Sequence, residues 1–231
     1  MQIPPQFQLS IATLIIISIL CFIIAVFLII KYIRQDPRTH DTLYFISAMV
    51  VFGVRFILQV LWYTFNIPLV NQTINLFVTI LIIVGTFLLT TFFFSIYFKE
   101  NPQRFHIILG VTIAIAATIC ILLALGIFQQ ALYADPITGL PAVGEYRYDF
   151  GLDLVLISFA YLLPATGINF GLFLYISYKK YEGKLRLKSV LMAVGLIIWM
   201  IAELLGPYTV YYIMDMGALV VILIGFVLKK E

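Results

Sequence analysis

Charge is what this sequence has least of. Asp, Glu, Lys and Arg make up 11% of its 231 residues, against about 25% in an ordinary soluble domain. Hydrophobic residues reach 63% and the mean hydropathy is +1.10, which excludes a sizeable water-soluble domain. Cysteine is nearly missing too. Cys21 and Cys120 both fall inside apolar runs, so a disulfide framework has no support. No Lys or Arg precedes the first apolar run, so the basic region that opens a cleavable signal peptide is lacking. No repeat is visible at the level of residue identity, which argues against an inverted-repeat transporter. The net charge of +3 is confined to short segments between apolar runs. It forms no basic face for nucleic acid, which is not an expected partner.

Other absences remove whole chemistries. A retinal Schiff base needs a lysine inside the last apolar run, and every lysine here sits at the end of a run or between runs. A haem held by two histidines would have only His40 and His106 to use, both entering apolar runs from the same side; the plainer account is a pair of interfacial histidines. No cluster has the spacing of a zinc, phosphate-loop or hydrolase site. The expected cofactor is none, and the expected protein is not an enzyme, although Glu203 and Asp215 leave a carboxylate pair open as a bare alternative.

Long apolar runs are what the sequence does have. A spanning helix needs about 20 mostly apolar residues, and seven stretches qualify: 9–30, 42–65, 74–98, 105–128, 152–178, 189–206 and 208–228. The expected fold is a single all-α integral membrane domain, a seven-helix transmembrane bundle. Of the 14 Lys and Arg, all but Arg55 and Arg147 fall after the first, third, fifth and seventh runs. Basic residues mark the cytoplasmic side. The N-terminus is therefore expected outside, the C-terminus in the cytoplasm, and the chain in the cell membrane as a multi-pass protein. The longest connection, 129–148, would then lie outside. Its flanks, 131–134 and 145–148, could pair as a short hairpin, or the whole could be an irregular loop.

Three ionisable residues break the apolar runs: Arg55 in the second, Glu203 in the sixth and Asp215 in the seventh. A charge at mid-bilayer costs about 2.5–3.5 kcal/mol on insertion scales. At 1.5 Å of rise per residue, the three lie roughly 3, 7 and 5 Å outside the midpoints of their runs. All fall in the outer half, so Arg55 is expected within reach of Glu203 or Asp215. Gln59 is one turn from Arg55 on the same face. Trp199 lies one turn before Glu203, Tyr211 continues that row, and Asn75 sits at similar depth in the third run. Arg55, Gln59, Asn75, Trp199, Glu203, Tyr211 and Asp215 are the candidate ligand-binding residues. A structural ion pair that fixes helix packing, with no ligand, is the competing account of the same charges.

Two further features concern packing. Gly167 and Gly171 have the spacing that lets another helix approach closely, and Pro164 before them should kink the fifth run. Trp62, Tyr63, Tyr208, Tyr211 and Tyr212 fall at outer-interface depth, where aromatic rings anchor helices.

The segment Tyr181-Glu-Gly-Lys-Leu-Arg-Leu-Lys188 leads into Ala193-Val-Gly-Leu and then Trp199-Met-Ile-Ala-Glu-Leu-Leu-Gly206. This pattern resembles the end of the seven-transmembrane sensor regions fused to prokaryotic histidine kinases, where a basic inner loop enters a glycine-containing sixth helix. The resemblance covers the fifth to seventh runs, and no functional residue carries over from it. This sequence ends at Glu231 with no linker, kinase or cyclase, so the resemblance implies a stand-alone sensor that signals through a partner membrane protein. The expected function is thus receptor-like, with a small ligand or lipid bound in the outer half. The alternatives are an accessory or scaffold subunit of a larger membrane complex, and a small transporter. A cysteine engineered within 179–188 should react with a membrane-impermeant maleimide only after cells are opened. Labelling of intact cells would reverse the orientation.

Overall fold

The computed structural model describes residues 5–34, 40–64, 68–99, 101–124, 130–132, 148–150, 167, 169–205 and 209–227. Among them are seven helices: α1 (Pro5–Arg34), α2 (His40–Thr64), α3 (Pro68–Tyr97), α4 (Pro102–Ala124), α5 (Asn169–Lys180), α6 (Gly183–Leu205) and α7 (Thr209–Val227). Four contain segments long and apolar enough to cross a membrane: Gln8–Arg34, Asp41–Trp62, Leu76–Tyr97 and Pro102–Leu122. This is the character of a helical membrane protein. Most of the fifth expected span, including Pro164, lies outside the described residues.

Several helices begin before their apolar runs, and α1 also ends beyond its run, for local reasons. Pro68 and Pro102 each stand at the first position of a helix, where the missing N–H costs nothing and the fixed φ suits the helix. Asn101 caps α4 by accepting the Arg104 backbone N–H on its side-chain oxygen at 3.2 Å, a standard use of Asn at that position. α1 extends to Lys31 and Arg34, cations that complement the negative end of the helix dipole. The basic stretch 183–188, expected as a loop, is the first turn and a half of α6. Lys, Leu and Arg are good helix formers, and charge does not end a helix.

Buried hydroxyls satisfy themselves along the helices. Thr13, Thr91 and Thr112 donate to the carbonyl oxygens of Leu9, Phe87 and Ile108 at 2.8–2.9 Å. In a medium without water this is the cheapest arrangement. Ser18 instead donates across to the Gly53 carbonyl oxygen at 2.9 Å, tying α1 to α2.

Six helices close a ring. α2 packs on α1 and α3, α5 bridges α3 and α6, and α7 packs on α6 and α1. α4 packs on α3 from outside the ring. The interior is filled by aromatics: Phe45 meets Phe92 of α3 at 5.0 Å between ring centres and Phe226 of α7 at 5.4 Å, both edge-on. Phe93 of α3 meets Phe170 and Phe173 of α5. Large apolar side chains also cover the outside, such as Ile15, Ile19 and Ile23 on α1 and Ile107, Val111 and Ile115 on α4. In water these would be a large exposed patch; against lipid tails they cost nothing.

The expected strand pairing is present as β1 (Gln130–Leu132) antiparallel to β2 (Tyr148–Phe150), Ala131 facing Asp149. The register is shifted slightly from 131–134 and 145–148. Gly167 makes an ordinary contact, with Met200 Sδ of α6 3.7 Å from a Cβ built there, and the tightest helix approach falls elsewhere. Among the described residues nothing lies within 4 Å of a Cβ built at Gly171. At Gly195 of α6 a Cβ would sit 2.6 Å from Ile222 Cγ1 and 2.9 Å from the Ala218 carbonyl oxygen of α7. Sequence spacing finds small-residue pairs, but not which helix comes to meet them.

Gly195→Ala should therefore lower the unfolding temperature of the purified protein. Overpacking costs about 1–3 kcal/mol, which outweighs a helix-propensity gain of about 1 kcal/mol. Gly110→Ala, on the open side of α4 with nothing within 4 Å among the described residues, should leave it unchanged or raise it.

Candidate functional site

α2 is the helix that the site is built on. Its inward face carries Phe45, Met49, Phe52, Arg55, Phe56, Gln59 and Trp62, all buried. Apart from Arg55, which stands beside Phe56, the spacing is three or four residues throughout, which keeps one stripe facing the ring interior. Opposite lies the stripe Tyr212, Asp215, Leu219, Ile222 of α7, also buried, with Phe226 packed against it.

Two contacts set the register between these stripes. Phe45 meets Phe226 at one end. Gln59 Nε2 donates to Tyr212 Oη at 3.5 Å at the other. The contacts are equally far apart along both helices, so one antiparallel register joins them. Under that register Asp215 falls level with Phe56, and Arg55 level with Met216. The guanidinium and the carboxylate thus belong to one layer of the bundle.

α6 adds to the same layer. Trp199 packs edge-on against Phe52 of α2, with ring centres 4.6 Å apart. Glu203 follows one turn further along α6, which brings its backbone to the level of Phe56; its side chain is outside the described residues. The side chains of Asn75 and Tyr211 are likewise outside them. Asn75 sits on α3, whose contacts Phe45–Phe92 and Phe52–Gly85 also share one register. By that register Asn75 stands level with Trp62, about two turns from Arg55.

Burial in the layer is nearly complete. Arg55 is 4% exposed and Asp215 2%. The Arg55 guanidinium carbon lies 4.5 Å from the centre of the Phe56 ring, a distance at which the ring face attracts a cation. Arg55, Asp215, Trp62 and Tyr212 each also have an interaction partner beyond these contacts. Two further polar atoms flank the layer: among the described residues Gln59 Oε1, about one turn to one side of it, accepts no hydrogen bond and Trp199 Nε1, about one turn to the other, donates none, although both side chains are more than nine-tenths buried. One is an open acceptor and the other an open donor. Each costs about 1–3 kcal/mol while unmet.

Tyr212 and Trp62 carry a lesson about depth. Their distance along the chain suggests interface anchors, yet Tyr212 is 3% exposed and Trp62 7%. The signal for Tyr212 was its place three residues before Asp215 on the same helix face. Depth alone does not say which way a ring points.

Chemically, the layer can hold an anionic or hydrogen-bonding group against Arg55. Among the described residues it shows no nucleophile paired with a base. Among the described residues no three His, Cys, Asp or Glu side chains gather as a metal site. His106 is exposed, and the His40 side chain lies outside the described residues. No protein family, curated protein or solved structure matches the chain.

Shared depth predicts energetic coupling. Arg55→Met and Asp215→Leu should each destabilise the protein by about 3–5 kcal/mol, because each leaves a buried charge uncompensated. The double variant should recover much of that loss. Thermal unfolding in detergent measures the cycle, and additive losses would mean that the two groups do not compensate each other.

Proposed function

We propose that this protein is a receptor-like or sensor-like membrane protein with seven spans. The N-terminus faces outside, the C-terminus faces the cytoplasm, and the chain sits in the cell membrane. A small ligand or lipid binds in the outer half of the ring, and signal leaves through a partner protein. Basic residues support the orientation. Lys31 and Arg34 end α1, Lys99 follows α3, Arg104 opens α4, Lys179 ends α5, and Arg186 and Lys188 lie in the first turns of α6. With neighbouring helices antiparallel, these gather at one end of the bundle, as cytoplasmic basic residues do.

The observation that carries the ligand reading is the pair of open valences, Gln59 Oε1 and Trp199 Nε1, which lie about one turn to either side of the level of Arg55 and Asp215. A structural ion pair alone has no use for them. Arg55 would anchor an anionic group, with Asp215 and Glu203 setting its orientation. Gln59 would accept from the ligand and Trp199 would donate to it. The apolar lining of Phe52 and Phe56 suits a hydrocarbon body. Binding that moves α6 or α7 would alter the basic turn between α5 and α6 at the far end.

One observation favours the accessory-subunit reading as a second choice. Among the described helices α4 packs chiefly on α3, and its apolar residues Ile107, Val111, Ile113 and Ile121 are exposed, as a helix seated on a partner would need.

Trp62 and Trp199 provide a built-in probe. 3-Hydroxydecanoate, whose carboxylate suits Arg55 and whose hydroxyl can donate to Gln59 Oε1, should shift their fluorescence saturably when added to the purified protein, and decyltrimethylammonium should not. Gln59→Leu should weaken the hydroxydecanoate response about tenfold, since it removes the acceptor for that hydroxyl from a dry site. A response that is unsaturable, or unchanged in Gln59→Leu, would remove the pocket. A partner copurifying in fixed proportion from native membranes, with no amphiphile response, would favour the accessory subunit.

A further inference from the structure

At the end of the bundle opposite the Gln59 layer, α5 turns into α6 through Tyr181 and Glu182. Gly183 has a φ of +54°, in the left-handed region that a side chain disfavours, and this sets the reversal. Arg186 then reaches back across the turn. Its Nε donates to the Tyr181 carbonyl oxygen at 2.6 Å, and its backbone N–H donates to the Glu182 carbonyl oxygen at 3.3 Å. Its guanidinium carbon lies 5.1 Å from the centre of the Tyr178 ring. Nearby, Lys179 Nζ lies 4.7 Å from the centre of the Tyr175 ring.

This arrangement fixes one edge of a guanidinium and presents the other. Of the five guanidinium N–H donors, the one on Nε is used, and among the described residues those on the two Nη atoms are left for an acceptor. The charge around it is one-sided: Lys179, Lys180, Lys184, Arg186 and Lys188 stand against Glu182 alone. Its neighbours are apolar and uncovered. Tyr175 is 55% exposed, Tyr178 66% and Leu187 51%.

We propose that the α5–α6 turn is a binding site for the phosphate of an anionic membrane phospholipid. The Nη edge of Arg186 contacts the phosphate oxygens in the bidentate geometry that suits Arg, and Lys179 supplies a second cation. Tyr175, Tyr178 and Leu187 cover the glycerol and the first methylenes, as ring-bearing residues do at the headgroup level. Free phosphate would share the charge contacts but leave those three side chains uncovered. The lipid meets both sets, and this distinguishes the site from the diffuse attraction of scattered lysines.

The test uses the full chain in nanodiscs of phosphatidylcholine with a minor fraction of phosphatidylglycerol. Native mass spectrometry then counts retained lipid. The wild type should retain phosphatidylglycerol preferentially. Arg186→Gln should cut that retention about fivefold, and Tyr178→Leu should lower it because the guanidinium loses its platform. Lys99→Gln, which removes a cation after α3, should have little effect. An equal loss in Lys99→Gln, or none in Arg186→Gln, would overturn the site. Millimolar inorganic phosphate should not displace the lipid; displacement would assign the turn to a free anion instead. Should Arg186→Gln fail to fold, a photoactivatable phosphatidylglycerol on the wild type decides the matter. Crosslinks within 175–188 support the site, and crosslinks confined to other segments overturn it.

Discussion

A guanidinium inside hydrocarbon has to be compensated, and the rest of this bundle follows from that constraint. Arg55 sits near the middle of α2 and is almost wholly covered. It cannot shed its charge, since arginine stays protonated in proteins. The fold must therefore bring it acceptors, a π face or water. Phe56 supplies the ring, and α7 brings Asp215 to the same level. The long aromatic side chains that cross from α2 to α6 and α7 set how far apart those helices stand, and so how much room the layer has.

Much of the fold could be read from the sequence, because a bilayer leaves few choices. Apolar length gives helices, and four of them are long and apolar enough to cross a membrane. The depth of Arg55 and Asp215 followed from counting residues along their helices, and the observed register between α2 and α7 puts them in one layer. Counting fails wherever direction matters. Tyr212 and Trp62 turn inward, against their expected place at the interface. Gly167 and Gly171 have close-packing spacing, yet α6 and α7 meet tightly at Gly195 instead. Charge was also taken to end a helix in 183–188, where helix-forming residues continue one.

The two ends of the bundle divide their polar chemistry differently. Near Gln59 and Asp215 the polar groups point inward and are sealed by aromatics. Around the α5–α6 turn the cations and tyrosines face outward. Both ends nevertheless rest on α6, which carries Trp199 in one layer and Arg186 in the other. A rigid helix that serves both is a physical link between them, though coupling requires two discrete arrangements of that helix.

The shared register of α2 with α7 limits what those arrangements can be. Phe45 against Phe226 and Gln59 against Tyr212 lock the same pair of helices at two distant heights. A piston stroke of α7 would break both locks together and drive Asp215 past its level. Rolling α7 about its own axis would swing both side chains away as well, whereas rocking it on the Phe226 pivot breaks at most the Gln59–Tyr212 contact. Of these displacements, a tilt about the Phe45–Phe226 contact is the one that the register opposes least.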